Sequence, residues 1–278
     1  MTGDFLSILQ IVGILVASGL FAGFLAGLLG VGGGIIFVPV LYFIFGCIFN
    51  MSPDSAIMLA TSTSLGCMIP TSLSSCISHY RHDNMDLALI KRWAPLLLFG
   101  VVCGSLFSAR FGGMWLSAVF GVILLLSSLN TILRADSPPL LETMPSAGWQ
   151  TIMALFISGF SVMLGIGGGT LSVPLLTMCS MPPRRAIGTA SAIGLFIAIP
   201  GAVTMLILGG TVLDPNVPPG TFGKVCLTAV ACIVPFSMVM AVVGAKINRR
   251  IDQKLLKKIF SILLIITGSK MLYNALAL

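Results

Sequence analysis

Residues Leu28–Leu41, with the sequence LLGVGGGIIFVPVL, return as Met163–Leu176, with the sequence MLGIGGGTLSVPLL. Eight of the fourteen aligned positions are identical: Leu29/Leu164, Gly30/Gly165, Gly32/Gly167, Gly33/Gly168, Gly34/Gly169, Val38/Val173, Pro39/Pro174 and Leu41/Leu176. After a five-residue gap the match resumes, aligning Pro53, Ala56, Ile57, Ala60, Leu65, Ile69 and Pro70 with Pro183, Ala186, Ile187, Ala190, Leu195, Ile199 and Pro200. A glycine break at matching places in two halves of an apolar chain marks an internally duplicated membrane carrier, and it points to where a ligand sits.

The surrounding chain has to live in a bilayer. Hydrophobic residues make up 57% of its 278 positions and charged residues only 8%, against about a quarter charged in soluble domains. Apolar stretches of roughly twenty residues recur along the whole length, which implies an all-α integral membrane protein. A β-barrel would show short alternating segments instead. The longest polar connection, 134–148, leaves no room for a soluble domain. The net charge of +7 reads as basic loops on one membrane face and not as a nucleic-acid surface. No Lys or Arg precedes Arg81, so the basic flank of a cleavable signal peptide is not expected. Seven cysteines contain no Cys-x-x-Cys pair and read as small apolar packing residues.

Apolar runs against polar breaks give ten segments, at about 8–29, 34–49, 55–79, 91–111, 114–133, 149–164, 169–181, 185–209, 224–246 and 257–276. The first repeat then covers 1–133, the loop 134–148 joins the halves, and the second repeat covers 149–278. Five segments per half is odd, so the second half enters the membrane the other way up. With the 80–92 loop in the cytoplasm, Arg81, Lys91, Arg92, Arg134, Arg184, Arg185, Lys246, Arg249, Arg250, Lys254, Lys257 and Lys258 fall inside. Only Arg110, Lys224 and Lys270 fall outside. This positive-inside bias places both termini outside. From Trp149 to Met181 there are only 33 residues, where two full spans need about forty. Each glycine break therefore reads as the turn of a helical hairpin within the membrane, and in the inverted arrangement the two turns would meet.

Non-helical backbone at membrane depth is tolerated only inside protein or beside a wet cavity. The helices expected to begin at Gly34 and Gly169 would offer unpaired N–H groups and the positive ends of their dipoles, a ready anion site. Gly32, Gly33, Gly34, Gly167, Gly168, Gly169 and Thr170 are the candidate lining residues there. Gly19, Gly23, Gly27 and Gly30 read more simply as helix-packing glycines. The Gly-x-Gly pattern lacks the strand–turn–helix context of a dinucleotide site. The segments that follow each hairpin carry hydroxyls at Thr61, Ser62, Thr63 and Ser64, and at Thr189 and Ser191, along with Pro70 and Pro200. Four consecutive hydroxyl residues cannot all face lipid. Thr61, Ser62, Thr63, Thr189 and Ser191 are therefore candidate donors to an oxyanion.

Taken together, these residues resemble the TauE/SafE family of sulfite exporter-like transporters. The resemblance rests on GVGGG and GIGGG with Pro39 and Pro174, on the Ala-Thr-Ser and Gly-Thr-Ala-Ser stretches near Thr61 and Thr189, and on His79–Asp86. That last stretch matches a basic family segment ending in Asn-Val-Asp, with Met85 in place of Val. The resemblance covers nearly the whole chain. It implies transport of small sulfur-containing anions such as sulfite or organosulfonates, usually outward, across the bacterial inner membrane.

His79 and His82 are the only histidines and lack further metal ligands nearby, so no metal or cofactor is expected. They read as a basic helix end at the cytoplasmic surface, with proton coupling through His79 as the sharper alternative. Arg81 could draw anions to the inner mouth, although topology control explains it equally well. A secondary transporter is the leading reading, with a small anion and lipid as its partners and no nucleic acid. A passive anion channel would use the same site. An intramembrane thiol or redox enzyme finds no His-Glu-x-x-His, no Asp pair within the spans and no Cys-x-x-Cys.

Overall fold

A backbone in an apolar solvent has to pair with itself, and this chain does so almost wholly as helix. The computed structural model describes residues 2–110, positions 118, 121–122, 124–126 and 128–129, then 141 and 143–276 without 208, 209, 211 and 213. In chain order these form α1 Thr2–Leu29, α2 Gly34–Phe43 continued by a π-helical turn Ile44–Ile48, α3 Pro53–Tyr80 and α4 Leu87–Arg110. There follow α5 Ala147–Leu164, α6 Gly169–Met178, α7 Pro183–Ile207, a hairpin of β1 Thr221–Phe222 and β2 Val225–Cys226, α8 Leu227–Asn248 and α9 Gln253–Leu276.

Among the described residues, six helical stretches are long and apolar enough to cross a membrane: Leu9–Leu29, Pro53–Tyr80, Leu87–Ser108, Ala147–Leu164, Pro183–Ile207 and Leu227–Asn248. Two apolar helices, Gly34–Ile48 and Gly169–Met178, are shorter, as expected for second arms of broken hairpins. The chain is thus an all-α multi-pass membrane protein. The expected segment 114–133 falls mostly outside the described residues, and Arg134 entirely so. The ninth segment, expected from 224, begins as helix only at Leu227. Thr221 pairs with Cys226 and Phe222 with Val225, and Gly223 turns the hairpin at φ +56°. Lys224, in that turn, is nearly buried, which pushes its ammonium pKa below the ordinary lysine value.

Small residues set how closely the helices approach. A Cβ on Gly19 would lie 2.7 Å from the Ile233 carbonyl oxygen, and one on Gly23 or Gly27 would collide with the backbone of Ser237 or Ala241. Thus α1 packs backbone to backbone on α8, the usual use of small residues four apart. Helix α4 packs on α5 in the same way, with Gly104 against Gly159. Helix α3 packs on both α7 and α8, and α4 also touches α7. Gly30 also packs closely, since a Cβ there would collide with the Ile187 carbonyl, but it does so from a turn and not from within the helix. It has φ +70°, because it belongs to the first glycine turn.

Two groups of loop contacts gather at the ends of the bundle. In one, Asp86 meets Arg185 at 3.2 Å, Arg184 donates to the Ile251 carbonyl, and Arg249 Nη1 lies 3.3 Å from His82 Nε2. In the other, Asp214 accepts hydrogen bonds from the amide and hydroxyl of Ser52, each at 3.0 Å, while Asn216 donates to the Asn50 carbonyl.

Candidate substrate site

Helix α1 stops at Leu29 and α5 at Leu164, each just before its glycine run. Gly30 and Gly165 are left-handed at φ +70° and +63°, and Gly32 and Gly167 at +71° and +42°. A side chain at any of these would be strained, which is why glycine sits there. The third pair differs: Gly33 is left-handed at φ +85°, whereas Gly168 has an ordinary φ of −56°. The helices that follow begin at Gly34 and Gly169, as the sequence predicts.

The two turns touch. A Cβ on Gly34 would lie 2.6 Å from the Gly165 carbonyl oxygen and 2.7 Å from Ile166 Cα. A Cβ on Gly169 would collide with the Gly30 carbonyl and lie 2.6 Å from Val31 Cα. Ser64 Oγ donates to the Gly165 carbonyl at 2.7 Å, tying the second turn to α3.

Met68 fills the space beside these turns. A Cβ on Gly32 would be 2.6 Å from its methyl, one on Gly34 would be 2.8 Å from its sulfur, and one on Gly167 would collide with the methyl. One helical turn further along α3, Ser72 Oγ would be 2.9 Å from a Cβ on Gly32 and 3.5 Å from one on Gly194. Gly33 is covered by the ring of Phe37, and Gly168 by Ile193, Ile197 and Ser172.

The predicted hydroxyls divide into those with a hydrogen-bond partner and those without one among the described residues. Thr61 donates to its own helix at Met58, the ordinary use of such a residue. Thr63 accepts the Cys226 amide at 3.0 Å, and Thr189 accepts the Asp86 amide at 2.9 Å. Ser191 donates to the Ile187 carbonyl and pairs with Ser75. By contrast Ser62 and Thr170, with Ser72, Ser161 and Ser172, are buried and have no hydrogen-bond partner among the described residues. Buried hydroxyls are ordinarily paired, so each of these marks unused donor capacity.

His79 is not at a surface. It is 1% exposed, and its Nε2 lies 3.0 Å from the Gly27 carbonyl oxygen. Because α1 ends at the break, its last carbonyls have no intrahelical partner. Asn248 likewise donates to Leu28 at 2.7 Å. Arg81 is exposed just past the end of α3. Among the described residues no three His, Cys, Asp or Glu side chains gather where they could hold a metal ion.

Sequence reasoning passed over Ser64, Met68 and Ser72 as site residues. Their four-residue spacing puts them on one face of α3, and that face is the one turned to the glycines. The periodicity was legible, but nothing in the sequence says which face of a buried helix meets the turns.

Spanning helices, broken hairpins and apposed glycine turns together define a membrane transporter build. A family model described as Sulfite exporter TauE/SafE matches residues 15–271. The chain belongs to that family. It is 27% identical over 254 residues to a probable membrane transporter protein of Haemophilus influenzae, covering 91% of this chain and 95% of the relative. It is 28% identical to a probable membrane transporter protein of Bacillus subtilis, covering 95% and 98% of the two chains. A probable membrane transporter protein of Methanocaldococcus jannaschii is 27% identical, with 93% and 94% covered. No solved structure matches the chain.

Proposed function

We propose that the protein is a secondary transporter that exports a small sulfur-containing oxyanion, sulfite or an organosulfonate, across the bacterial inner membrane. The carrying observation is the reciprocal contact of the glycine turns, Gly34 on Gly165 and Gly169 on Gly30. Since Gly30 aligns with Gly165 and Gly34 with Gly169, exchanging the halves maps the contact onto itself. Helix packing follows the same exchange: α1 with α8 corresponds to α5 with α4, and α3 with α8 corresponds to α7 with α4. These correspondences support two inverted halves about a pseudo-two-fold axis, the usual frame for alternating access.

The chemistry suits an anion without a cationic side chain. From Phe5 to Pro53 and from Met144 to Pro183 the chain carries no charged residue. Burying a substrate charge without hydrogen bonds would be prohibitive. Compensation comes from the helix starts at Gly34 and Gly169, from backbone N–H groups, and from the free hydroxyl of Thr170 in the first turn of α6. Gly32, Gly33, Gly167 and Gly168 let the ligand approach the main chain. Arg81 and its basic neighbours raise the local anion concentration at the cytoplasmic mouth.

Counterflow in proteoliposomes tests this reading. Vesicles preloaded with unlabelled sulfite should transiently accumulate labelled sulfite, as a carrier does and a channel does not. Absence of any sulfite or sulfonate flux, at low and high salt alike, overturns it.

A further inference from the structure

Ser64, Met68 and Ser72 stand four residues apart on α3, and each meets a glycine turn. Ser64 is fully used by the Gly165 carbonyl. The other two are not explained by packing in the same way. Met68 is fully buried, and its thioether touches Gly32 and Gly34 of the first turn and Gly167 of the second. The equivalent position in the other half is Ala198, so one side chain from one half fills the space that both halves enclose. Two fixed backbones and one unbranched, flexible side chain meet there, and only the side chain can yield without unfolding a turn. Beside it, Ser72 is fully buried, has no hydrogen-bond partner among the described residues, and is directed at Gly32.

We propose that Met68 occupies the substrate position between the glycine turns, swings aside as the anion enters and so sets the largest anion accepted, while Ser72 donates a hydrogen bond to the bound anion. The inference rests on the reading of the glycine turns as the transport site and adds the residue that limits size. Met68 is held between the turns by apolar contact, whereas Ser64 ties the second turn to α3 by a hydrogen bond. An anion displaces the thioether because it meets the Ser72 hydroxyl and the helix starts, which a thioether cannot use well.

The test uses full-length protein in proteoliposomes and compares uptake of labelled sulfite with that of methanesulfonate, 2-aminoethanesulfonate and sulfoacetate. Met68→Ala removes Cγ, Sδ and Cε, and should raise the ratio of larger to smaller anion uptake by about tenfold, the scale of discrimination by a methylene or two in a tight pocket. Met68→Ile is branched at Cβ and stiff, so it should slow every anion. Ser72→Ala should raise the KM for sulfite several-fold while Ser72→Thr restores it, a rescue that a purely structural role would not show. If Met68→Ala does not yield folded protein, Met68→Leu conserves volume and folds. Its stiffer end should slow uptake at unchanged thermal stability. An unchanged size ratio in Met68→Ala, or wild-type rates in Met68→Leu, overturns the proposal while leaving the transport reading standing. Failure of the wild-type protein to move any anion overturns both.

Discussion

His79 Nε2 and the carbonyl oxygen of Gly27 lie 3.0 Å apart in the buried interior of the bundle. The histidine donates to a carbonyl that the glycine break leaves without a helical partner. Asn248 does the same for Leu28, from a helix more than two hundred residues away in sequence.

Removing either donor should destabilise the fold. His79→Leu and Asn248→Leu each strand a buried carbonyl, a cost of about 1–3 kcal/mol. His79→Gln can still donate and should recover most of the loss. Thermal unfolding in detergent reads the order wild type, then Gln, then Leu. Equal midpoints for all three would remove the capping role.

Substitution at the turns should separate folding from transport. Gly34→Ala and Gly169→Ala drive a Cβ into the opposing backbone, and neither turn can retreat, so both should lower folded yield. Gly168 has an ordinary φ and meets only side chains, but a Cβ there presses on Ile193 and Ile197, so Gly168→Leu should fold with some loss of stability and abolish transport. Gly33→Leu should also abolish transport, with a larger loss of stability because Gly33 is left-handed. Normal flux through both leucine variants would move the site elsewhere.

The Asp86–Arg185 pair should matter less than Asp86 itself. Its members are partly exposed, and such ion pairs contribute about 0–1 kcal/mol. Asp86 Oδ1 also accepts the Leu89 amide at 3.0 Å, capping α4 at its start, a role worth about 1 kcal/mol. Arg185→Ala should therefore be nearly neutral and Asp86→Ala clearly destabilising. Chemical denaturation midpoints decide, and equal effects would contradict this ranking.

Acid should release the 214–216 loop from the start of α3. Hydrogen bonds from the Asn216 and Ser52 amides hold the Asp214 carboxyl below the ordinary carboxylate value. A lowered folded pKa contributes stability that is fully present above the unfolded value and is lost as pH falls through the folded one. Hydrogen exchange at Ser52 and Asn216 should accelerate only at pH below the usual aspartate range, after correction for intrinsic rates. Asp214→Asn should abolish that dependence.

Orientation is open to direct labelling. In a background without native cysteines, Asp252→Cys should react with impermeant reagents only from the cytoplasmic side. Reaction from the periplasm would overturn the inverted arrangement.

Much of this protein was written in its sequence. The apolar runs have no stable form in lipid other than helix, and the glycine pairs 30/165 and 32/167 mark backbone that only glycine adopts without strain. Helix starts at Gly34 and Gly169 and short second arms followed from those two facts. Which side chains meet across the bundle did not follow. His79 read as a surface residue because its neighbours are basic, yet the fold carries it to an unpaired carbonyl. Thr63 and Thr189 read as substrate ligands from their position alone, and the fold brings the amides of Cys226 and Asp86 to their oxygens as partners that the sequence does not announce. Met68 carried only its four-residue spacing from Ser64 and Ser72, which does not say that this face meets the turns. Local sequence dictates which backbone can form where the solvent allows no unpaired group. The partner of each polar side chain depends on helices distant in the chain, and only tertiary packing brings them together.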